Sequence, residues 1–316
     1  MFFIMSYLNK LNILKCHCEN SDHLFINENK ICCKKIGCFH NDIKNAYTVF
    51  NDVPILISNH YCDTAFDPND IQSQVKRSKP NKFIEIVKKI FIKKQNYTIN
   101  NANLFLKELK PQASVLIIGG GEKGMGTDDL YSSDKIKITS TDVYYTENVD
   151  FIVDAHFLPF KDNSFDGVWI QAVLEHVLDP NKVVSEINRV LKSNGIVYAE
   201  TPFMQQVHEG AYDITRFTVV GHRYLFKNFS TIKIGGIDGV GTVMTWSIYY
   251  FFWSIFRSRA LAKFFYLFFS LILNPFDKLA DKKSLFDAGS GSYFLGRKSN
   301  KAISQKEAIK TYRGMQ

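Results

Sequence analysis

The stretch Ser114-Val-Leu-Ile-Ile-Gly-Gly-Gly-Glu-Lys-Gly124 decides the fold of this 316-residue chain. A run of strand-forming residues breaks into glycines where a helix can begin, and Ile138-Thr-Ser-Thr-Asp142 is a second strand that ends in an acid. Strands and helical segments continue to alternate as far as Pro202, which predicts a parallel, doubly wound α/β sheet. Ligands bind such sheets beyond the carboxyl ends of the strands, so the sequence places a site before it names a ligand.

The glycines of this loop follow the G-x-G-x-x-G spacing of a dinucleotide fold, with Gly119, Gly121 and Gly124 at the three positions. Such glycines adopt positive φ after a strand, and the missing Cβ lets a ligand approach the backbone. Asp142 follows at the distance expected of an acid that accepts hydrogen bonds from ribose hydroxyls. The pattern suits any adenosine-containing cofactor, and the alternative is glycines that serve only a tight turn.

Three later motifs distinguish between the possible cofactors. Asp154-Ala-His-Phe-Leu-Pro-Phe160, Asp162-Asn-Ser-Phe-Asp-Gly-Val168 and Leu174-Glu-His-Val-Leu-Asp-Pro180 are followed by a helix, a turn and a strand that ends at Pro202. Over roughly 100 residues this order resembles the class I S-adenosylmethionine-dependent methyltransferases of the type 11 group. The resemblance implies a Rossmann-like, seven-stranded, doubly wound sheet and a transferase that moves a methyl group from S-adenosyl-L-methionine to an acceptor.

The resemblance also assigns cofactor contacts to the ends of four strands. In that family the first glycine loop lies against the methionine part of the cofactor, and the acid ending the second strand holds the ribose. The acid after the third strand and its neighbour face the adenine, and the residue after the fourth strand closes the pocket. In that order, the residues of this chain are Gly119, Gly120, Gly121, Asp142, Asp154, Ala155 and Gln171.

Two residues depart from the family pattern. Ile117 stands where an acid is usual, and Lys123 stands where a third glycine is expected. These departures favour an alternative function, a non-catalytic adaptor or binding protein that retains the methyltransferase fold. An NAD-dependent oxidoreductase would need a Tyr-x-x-x-Lys pair or its equivalent after the fourth strand, and the sequence has none.

The loop after the fifth strand supplies the predicted catalytic residues, His208, Asp213 and Arg216. A sulfonium methyl is already activated, so alignment is the main requirement, and a base is useful only for a hydroxyl or a protonated amine. The loop resembles one in methyltransferases encoded with polysaccharide-assembly enzymes, which implies a sugar or lipid-linked glycan as the small-molecule acceptor. The alternative is a structured lid in which Asp213 and Arg216 only pair with each other.

All six cysteines lie within the first 62 residues. Residues 1–58 resemble the small zinc-ribbon-like head that precedes some methyltransferase domains, in which two cysteine knuckles flank a hairpin. The resemblance implies a structural zinc ion held by Cys16, Cys18, Cys33 and Cys38, because four thiolates suit tetrahedral zinc. The spacing departs from the usual one, so a metal-free ribbon, or substitution by His17, Cys32 or His40, is the alternative.

Met1 to Leu8 lacks the length and cleavage site of a signal peptide, so a reducing, cytoplasmic location is expected. Residues 59–98 are predicted to form a basic linker with an amphipathic helix over Val75 to Lys94, which covers the sheet or touches an anionic surface. Residues 99–298 are the predicted methyltransferase domain, and 299–316 form a polar tail.

Residues 236–291 are predicted to be an aromatic helical insertion between the last two strands. Its apolar runs, Val243–Phe256 and Phe264–Leu273, are each shorter than the roughly 20 residues that a spanning helix needs. Three interpretations stay open: peripheral contact with the inner face of a membrane, packing on its own domain, or a homodimer interface. The formal charge of +8 favours an anionic partner. No nucleic acid is expected, because no arginine–aromatic recognition motif is present.

Overall fold

A computed structural model describes residues 10–18, 24–72 and 97–316 of the chain. The basic helix predicted over 75–94 lies outside the described residues. The first elements are two short hairpins. Their strands are β1 Leu24–Asn27 with β2 Lys30–Cys33, and β3 Val49–Phe50 with β4 Val53–Pro54.

A seven-stranded sheet follows. Its strands are β5 Ala113–Ile118, β6 Ile136–Asp142, β7 Phe151–Ile152, β8 Phe165–Gln171, β9 Leu191–Pro202, β10 Phe229–Ile237 and β11 Gly291–Lys298. They lie in the order β10-β11-β9-β8-β5-β6-β7. The first five of these strands in the chain pair in parallel, whereas β11 is antiparallel to both of its neighbours. The predicted seven-stranded, mostly parallel sheet of the class I methyltransferase fold is therefore confirmed.

The central strands are apolar along most of their length because both faces of the sheet are covered. In β5, the four residues from Val115 to Ile118 are all buried. A strand buried on both sides has no solvent-facing positions and so shows a continuous hydrophobic run instead of alternation. Trp169 of β8 stacks on Tyr198 of β9, with 4.0 Å between ring centroids, and fixes the packing of one face.

Helices connect the strands and cover the sheet. They are α1 Tyr97–Glu108, α2 Asp128–Tyr131, α3 Pro180–Val190, α4 Val219–Leu225, α5 Val240–Phe256, α6 Arg259–Leu273, α7 Ser284–Ala288 and α8 Gln305–Ile309. The helix α3 shows how local sequence sets a helix start. Asp179 accepts hydrogen bonds from the backbone N–H groups of Asn181 and Lys182, and Pro180 occupies the first turn, where no N–H partner is needed.

The cysteine-rich head packs directly on the sheet domain. Leu14 forms a bridge with Phe160, and Ile55 pairs in parallel with Ile152 of β7. Leu56 N–H donates to the Ile152 carbonyl at 2.8 Å, and Leu56 is buried in the core that the head shares with the domain. Head and sheet therefore form one continuous hydrophobic core.

The helical insertion between the last two strands is confirmed. Helices α5 and α6 pack as a hairpin in which Phe252 and Phe265 stack with 3.7 Å between ring centroids. The Asp277 carboxylate accepts hydrogen bonds from the backbone N–H groups of Gly241 and Thr242, so it caps the first turn of α5.

The second helical stretch is longer than its apolar run predicts. A 3₁₀ segment, Asn274–Lys278, continues α6, so that Arg259–Lys278 is a continuous run of 20 helical residues. Of its 18 most apolar consecutive residues, only 11% are buried. By length and composition, α6 together with this 3₁₀ segment is sufficient to cross a membrane. The expectation that both helical stretches are too short is therefore wrong for this second one.

Candidate functional site

The carboxyl ends of four parallel strands bring the predicted cofactor residues to one edge of the sheet. The glycine loop follows β5, Asp142 ends β6, Asp154 and Ala155 follow β7, and Gln171 ends β8. Strands β5, β6 and β8 pair in parallel register, so their ends lie side by side. The structure thus places these residues together, at the position where open α/β sheets bind ligands.

The glycine loop is shaped by close backbone contacts. Gly119 has a φ of +75°, and a Cβ there would lie 2.2 Å from Cγ2 of Val173. The backbone N–H groups of Gly119 and Gly120 both donate to the carbonyl of Thr141, at 2.9 Å. A Cβ on Gly121 would lie 2.7 Å from the Asp142 carboxylate. Side chains on Gly119 or Gly121 would clash with these neighbours, so the loop needs glycine there for steric reasons.

The Asp142 carboxylate is held against this loop. Its Oδ2 accepts a hydrogen bond from Gly121 N–H at 2.9 Å, and its Oδ1 accepts one from Val143 N–H at 2.7 Å. Asp142 is half-buried at the end of its strand. The position fits an acid that binds a ribose beside the loop, because the loop N–H groups fix the direction of the carboxylate.

The end of β7 is closed by residues from two parts of the chain. Asp154 is buried, and its oxygens accept hydrogen bonds from the ring and backbone of His156 and from the hydroxyl of Thr64. Burial opposes the charged form, yet the hydrogen bonds from His156 and Thr64 hold the pKa of Asp154 below its usual value. Thr64 lies in the connector after the head, a contact that sequence reasoning did not anticipate.

Gln171 links the glycine loop to the next strand. Its Nε2 donates to the Met125 carbonyl at 3.3 Å and to Oε1 of Glu200 at 3.2 Å. A Cβ on Gly124 would lie 2.3 Å from Oε1 of Gln171, so this glycine also serves a close approach. Lys123, which stands where the family pattern has a glycine, places its ammonium 5.2 Å from the centre of the Tyr131 ring.

The loop after β9 brings the three predicted catalytic residues into contact. Arg216 forms a bidentate ion pair with Asp213. Oδ2 of Asp213 accepts a hydrogen bond from His208 N–H at 2.9 Å and lies 3.0 Å from Nδ1 of the same residue. Burial opposes ionisation of Asp213, but Arg216 and His208 lower its pKa to about 2. The carboxylate is therefore ionised, and it orients both the imidazole and the guanidinium.

An acid and a histidine that were not predicted as site residues lie beside this loop. Glu175 is completely buried after β8, and burial raises the pKa of its carboxyl to about 8. The ring of the adjacent His176 lies edge-on to the His208 ring, with 5.0 Å between centroids. Both residues belong to the motif over residues 174–180, and the resemblance of that motif to the family gave no indication of their local chemistry. The signal that could have found Glu175 is an acidic residue that follows the apolar pair Val173 and Leu174 shortly after β8.

The four predicted metal ligands converge in the head. All four cysteines are buried, and their sulfurs lie within 4.8 Å of one another. Sγ of Cys16 lies 3.7 Å from Sγ of Cys38, and Sγ of Cys18 lies 3.6 Å from Sγ of Cys33. Zn–S bonds of about 2.3 Å at tetrahedral angles place sulfurs about 3.8 Å apart. The donor set and spacing therefore fit zinc.

The substitute ligands considered from the sequence have other roles. His17 uses both ring nitrogens, one with the Tyr47 hydroxyl and one with the Phe157 carbonyl. His40 likewise contacts the Asn45 carbonyl and the Ser58 hydroxyl. Cys32 lies outside the cluster, since neighbouring residues of a strand point to opposite faces. The four-sulfur cluster thus forms without any of these three residues.

Residues 131–199 match the family model described as a methyltransferase domain. A ubiquinone/menaquinone biosynthesis C-methyltransferase UbiE from Teredinibacter turnerae is 39% identical over 69 residues, which are 21% of this chain and 28% of that protein. A demethylmenaquinone methyltransferase from Clavibacter sepedonicus is 44% identical over 72 residues, which are 22% of this chain and 29% of that protein. The chain thus spans less than a third of the length of these two relatives.

Two solved structures resemble part of the chain. The [4+2]-cyclase SpnF has a TM-score of 0.42 and 17% identity, covering 64% of this chain and 80% of that one. The phosphoethanolamine N-methyltransferase 2 of Haemonchus contortus, solved in complex with S-adenosyl-L-methionine, has a TM-score of 0.39 and 20% identity. This match covers 64% of this chain and 53% of that one.

The sheet order and the matched segment agree with each other. The first parallel strand lies at the centre, a glycine loop follows it, and the last strand is antiparallel to its neighbours. The matched residues 131–199 run from the end of α2 through the fifth strand of this sheet. Residues 131–199 therefore carry the likeness to a methyltransferase domain, and the sheet that contains them has the strand order of the class I methyltransferase fold.

Proposed function

We propose that the whole protein transfers a methyl group from S-adenosyl-L-methionine to a small-molecule acceptor. The observation that carries this proposal is the glycine loop, with Asp142 beside it, at the carboxyl edge of the sheet. There the glycine loop packs so closely against Val173 and Asp142 that side chains on Gly119 or Gly121 would not fit, and the Asp142 carboxylate is fixed beside the loop. When bound, the cofactor supplies a methyl group that is already activated by its sulfonium, so the protein has to orient the two reactants.

The residues of the edge divide into a cofactor side and an acceptor side. Gly119, Gly120 and Gly121 would pack on the methionine part and Asp142 would accept the ribose hydroxyls. Asp154, Ala155 and Gln171 would border the adenine and close the pocket. On the acceptor side, His208 offers a ring nitrogen to the acceptor region. Asp213 and Arg216 are positioning residues, because each is engaged with the other and with the loop.

The proposed acceptor is a lipid-linked molecule that is held in a membrane. The relatives named above are methyltransferases of ubiquinone and menaquinone biosynthesis. The loop after β9 resembles loops of polysaccharide-assembly methyltransferases, which favours a sugar or a lipid-linked glycan. A lipid-linked acceptor is common to both origins, and the surface of the molecule supports it.

The helical hairpin supports a peripheral position at the inner face of a membrane, with the rest of the chain in the cytoplasm. Phe251, Phe264 and Phe268 are each at least half exposed, and the turn carries exposed basic residues at 257, 259 and 263. Apolar rings beside basic residues complement an anionic bilayer surface. Helix α5 also touches the loop after β9, residues 203–218, which we call the acceptor loop, because the Tyr250 hydroxyl donates to the Val207 carbonyl at 2.8 Å. Lipid contact would therefore bring that loop to the membrane.

A structural zinc ion in the head is part of the same proposal. Burial raises the pKa of the Cys16 thiol to about 12, so a thiolate there needs a compensating cation at neutral pH. The ligands would be Cys16, Cys18, Cys33 and Cys38. The Tyr61 hydroxyl donates to Sγ of Cys38 at 3.5 Å, and Lys35 N–H donates to Sγ of Cys33 at 3.4 Å. Such donors stabilise metal-bound sulfur.

Isothermal titration with S-adenosylmethionine, S-adenosylhomocysteine and NAD tests the function. We expect the first two to bind and NAD not to bind. Asp142→Ala should weaken binding at least tenfold, because the ribose loses its acceptor. Asp129→Ala, an exposed acid on α2, is the matched control and should bind as the wild type does. Failure of both methyl-cycle ligands to bind would instead support the non-catalytic adaptor.

A further inference from the structure

Glu175 is a buried acid that the methyl-transfer proposal does not use. Its side chain is 0% exposed, and within the described part of the chain neither carboxylate oxygen has a hydrogen-bond partner. A buried carboxylate without hydrogen bonds costs several kcal/mol. Proteins keep such groups where a cation or a proton compensates them. The surroundings of Glu175 show which of the two this site is built for.

His176 directs a lone pair toward Glu175. Its Nδ1 lies 2.8 Å from the Tyr212 carbonyl, which can only accept, so Nδ1 carries the hydrogen. In the neutral ring Nε2 is then an acceptor. Nε2 lies 3.8 Å from Oε1 of Glu175 and 3.7 Å from Oε2 of Glu209. A lone pair that faces two carboxylates at these distances is the arrangement of ligands around a cation.

The His208 ring is oriented as metal-binding histidines usually are. Its Nδ1 lies 3.0 Å from the Asp213 carboxylate, which the bidentate Arg216 holds in place. A carboxylate behind an imidazole fixes the orientation of the ring and makes it a better ligand. One atom each of Glu175, His176 and His208 lies within 4.8 Å of the others. The three residues therefore meet at one point beside the acceptor loop.

The local charge also favours a cation. Three carboxylates, from Glu175, Glu209 and Asp213, lie around the two imidazoles, and the guanidinium of Arg216 is engaged with Asp213. With neutral histidines and an ionised Glu175, the state that a bound cation would stabilise, the group carries a net charge of minus two, from three carboxylates and one guanidinium. A divalent ion would balance it.

We propose that Glu175, His176 and His208 bind a divalent first-row transition-metal ion at the acceptor side of the sheet edge. Two imidazoles and a carboxylate suit Fe²⁺, Mn²⁺, Co²⁺ or Zn²⁺ better than Mg²⁺ or Ca²⁺, which prefer oxygen ligands alone. Bonds of about 2.1 Å at tetrahedral angles separate ligand atoms by about 3.4 Å. The spacing of Glu175 and His176 is close to this value, and His208, on a loop, moves inward to complete the set.

This site gives the acceptor a chemical class, a step that rests on the proposed methyl transfer. An ion with three protein ligands keeps positions open for a further donor. An acceptor with a hydroxyl or phenolic oxygen fills one of them and is thereby oriented toward the methyl group. The lone pair of His208 is then a metal ligand, and His208 is not available as a general base.

Manganese binding to the full-length protein tests this inference. The probe is Mn²⁺ followed by electron paramagnetic resonance, because the thiolate cluster of the head prefers softer ions. We expect one Mn²⁺ per chain. Glu175→Gln should weaken binding at least tenfold, and the matched control Asp129→Asn should leave it unchanged. His208→Ala, on the exposed loop, is the second variant and should also weaken binding if Glu175→Gln fails to fold.

Binding that is absent from the wild type, or that is equally strong in Glu175→Gln and His208→Ala, would overturn the inference. A protonated Glu175 would then account for the buried carboxyl. Titration with S-adenosylmethionine is run on the same samples and separates this failure from that of the proposed function. Wild-type protein that binds the cofactor but no Mn²⁺ refutes the metal site alone. Protein that binds Mn²⁺ but no cofactor refutes the methyl transfer alone.

Discussion

The imidazole of His222 links the stability of the fold to pH. It lies buried on α4, with Nδ1 3.1 Å from the Ser292 hydroxyl of β11, and burial lowers its pKa from 6.5 to about 3. Between these pH values the unfolded chain binds a proton that the folded chain excludes. The free energy of unfolding is therefore unaffected by this proton above pH 6.5, and it decreases as the pH falls from 6.5 toward 3.

We therefore expect the free energy of unfolding of His222→Phe to depend less on pH below 6.5 than that of the wild type. Below pH 6.5 the free energy of unfolding of the wild type should fall by about 1.4 kcal/mol per pH unit more than that of the variant. Urea unfolding between pH 4 and 7 measures this slope. His60→Gln, at an exposed position, is the control and should keep the wild-type slope. Equal slopes for wild type and His222→Phe would contradict the prediction.

Single residues show where sequence patterns are sufficient and where they are not. The glycines at 119 and 121 fit a spacing that a steric requirement explains, and in the structure neighbouring side chains pack closely against both. Thr64 could not be predicted, since its partner Asp154 lies 90 residues away and no local pattern joins them. Glu175 was missed because its special property is burial without a partner, and that depends on the packed loop after β9.

The strand β2 offers a matched pair of cysteines for testing the zinc proposal. Cys33 belongs to the four-sulfur cluster, whereas its buried neighbour Cys32 does not. Cys33→Ser should remove zinc from the purified protein and lower its melting temperature, because the ion no longer stabilises the head. Cys32→Ser should retain one zinc ion per chain. Metal analysis with thermal unfolding measures both, and equal zinc contents would refute the assignment of Cys33.

At the scale of elements, most of the sheet could be predicted from its sequence. Strands buried on both faces carry hydrophobic runs that need no knowledge of their neighbours, so β5 and β8 are evident. The 3₁₀ segment after α6 was not predicted, because Pro275 ordinarily marks the end of a helix. Here a 3₁₀ segment continues to Lys278 while its Asp277 caps the neighbouring helix α5.

The molecule as a whole should bind anionic bilayers through its hairpin. Vesicles of phosphatidylglycerol and phosphatidylcholine should co-sediment the full-length protein, and vesicles of phosphatidylcholine alone should do so much less. Replacing Phe264 and Phe268 by Ser should reduce binding at least tenfold, because these exposed rings provide the buried apolar area. The matched control is Phe50→Ser, an exposed ring of the head.

Two other results would each point to a different use of the hairpin. A protein that stays in the supernatant and sediments as a dimer in ultracentrifugation would favour a homodimer interface. A monomer that binds neither kind of vesicle would favour packing of the hairpin on its own domain. Helix α5 already contacts the acceptor loop through Ser247 and Tyr250. The sequence left these three possibilities open, because apolar helix faces alone do not specify what covers them.

The pairing of Ile55 with Ile152 has a consequence for how the protein can be produced. Strand β7 is only two residues long and would end the sheet with unpaired backbone groups, but the chain leaving the head lies along it. Exposed sheet edges of this kind promote association between molecules. A fragment that begins after residue 58 would uncover both this edge and the side chains of Phe151 and Phe160. We therefore expect that the cysteine-rich head protects the sheet domain from aggregation.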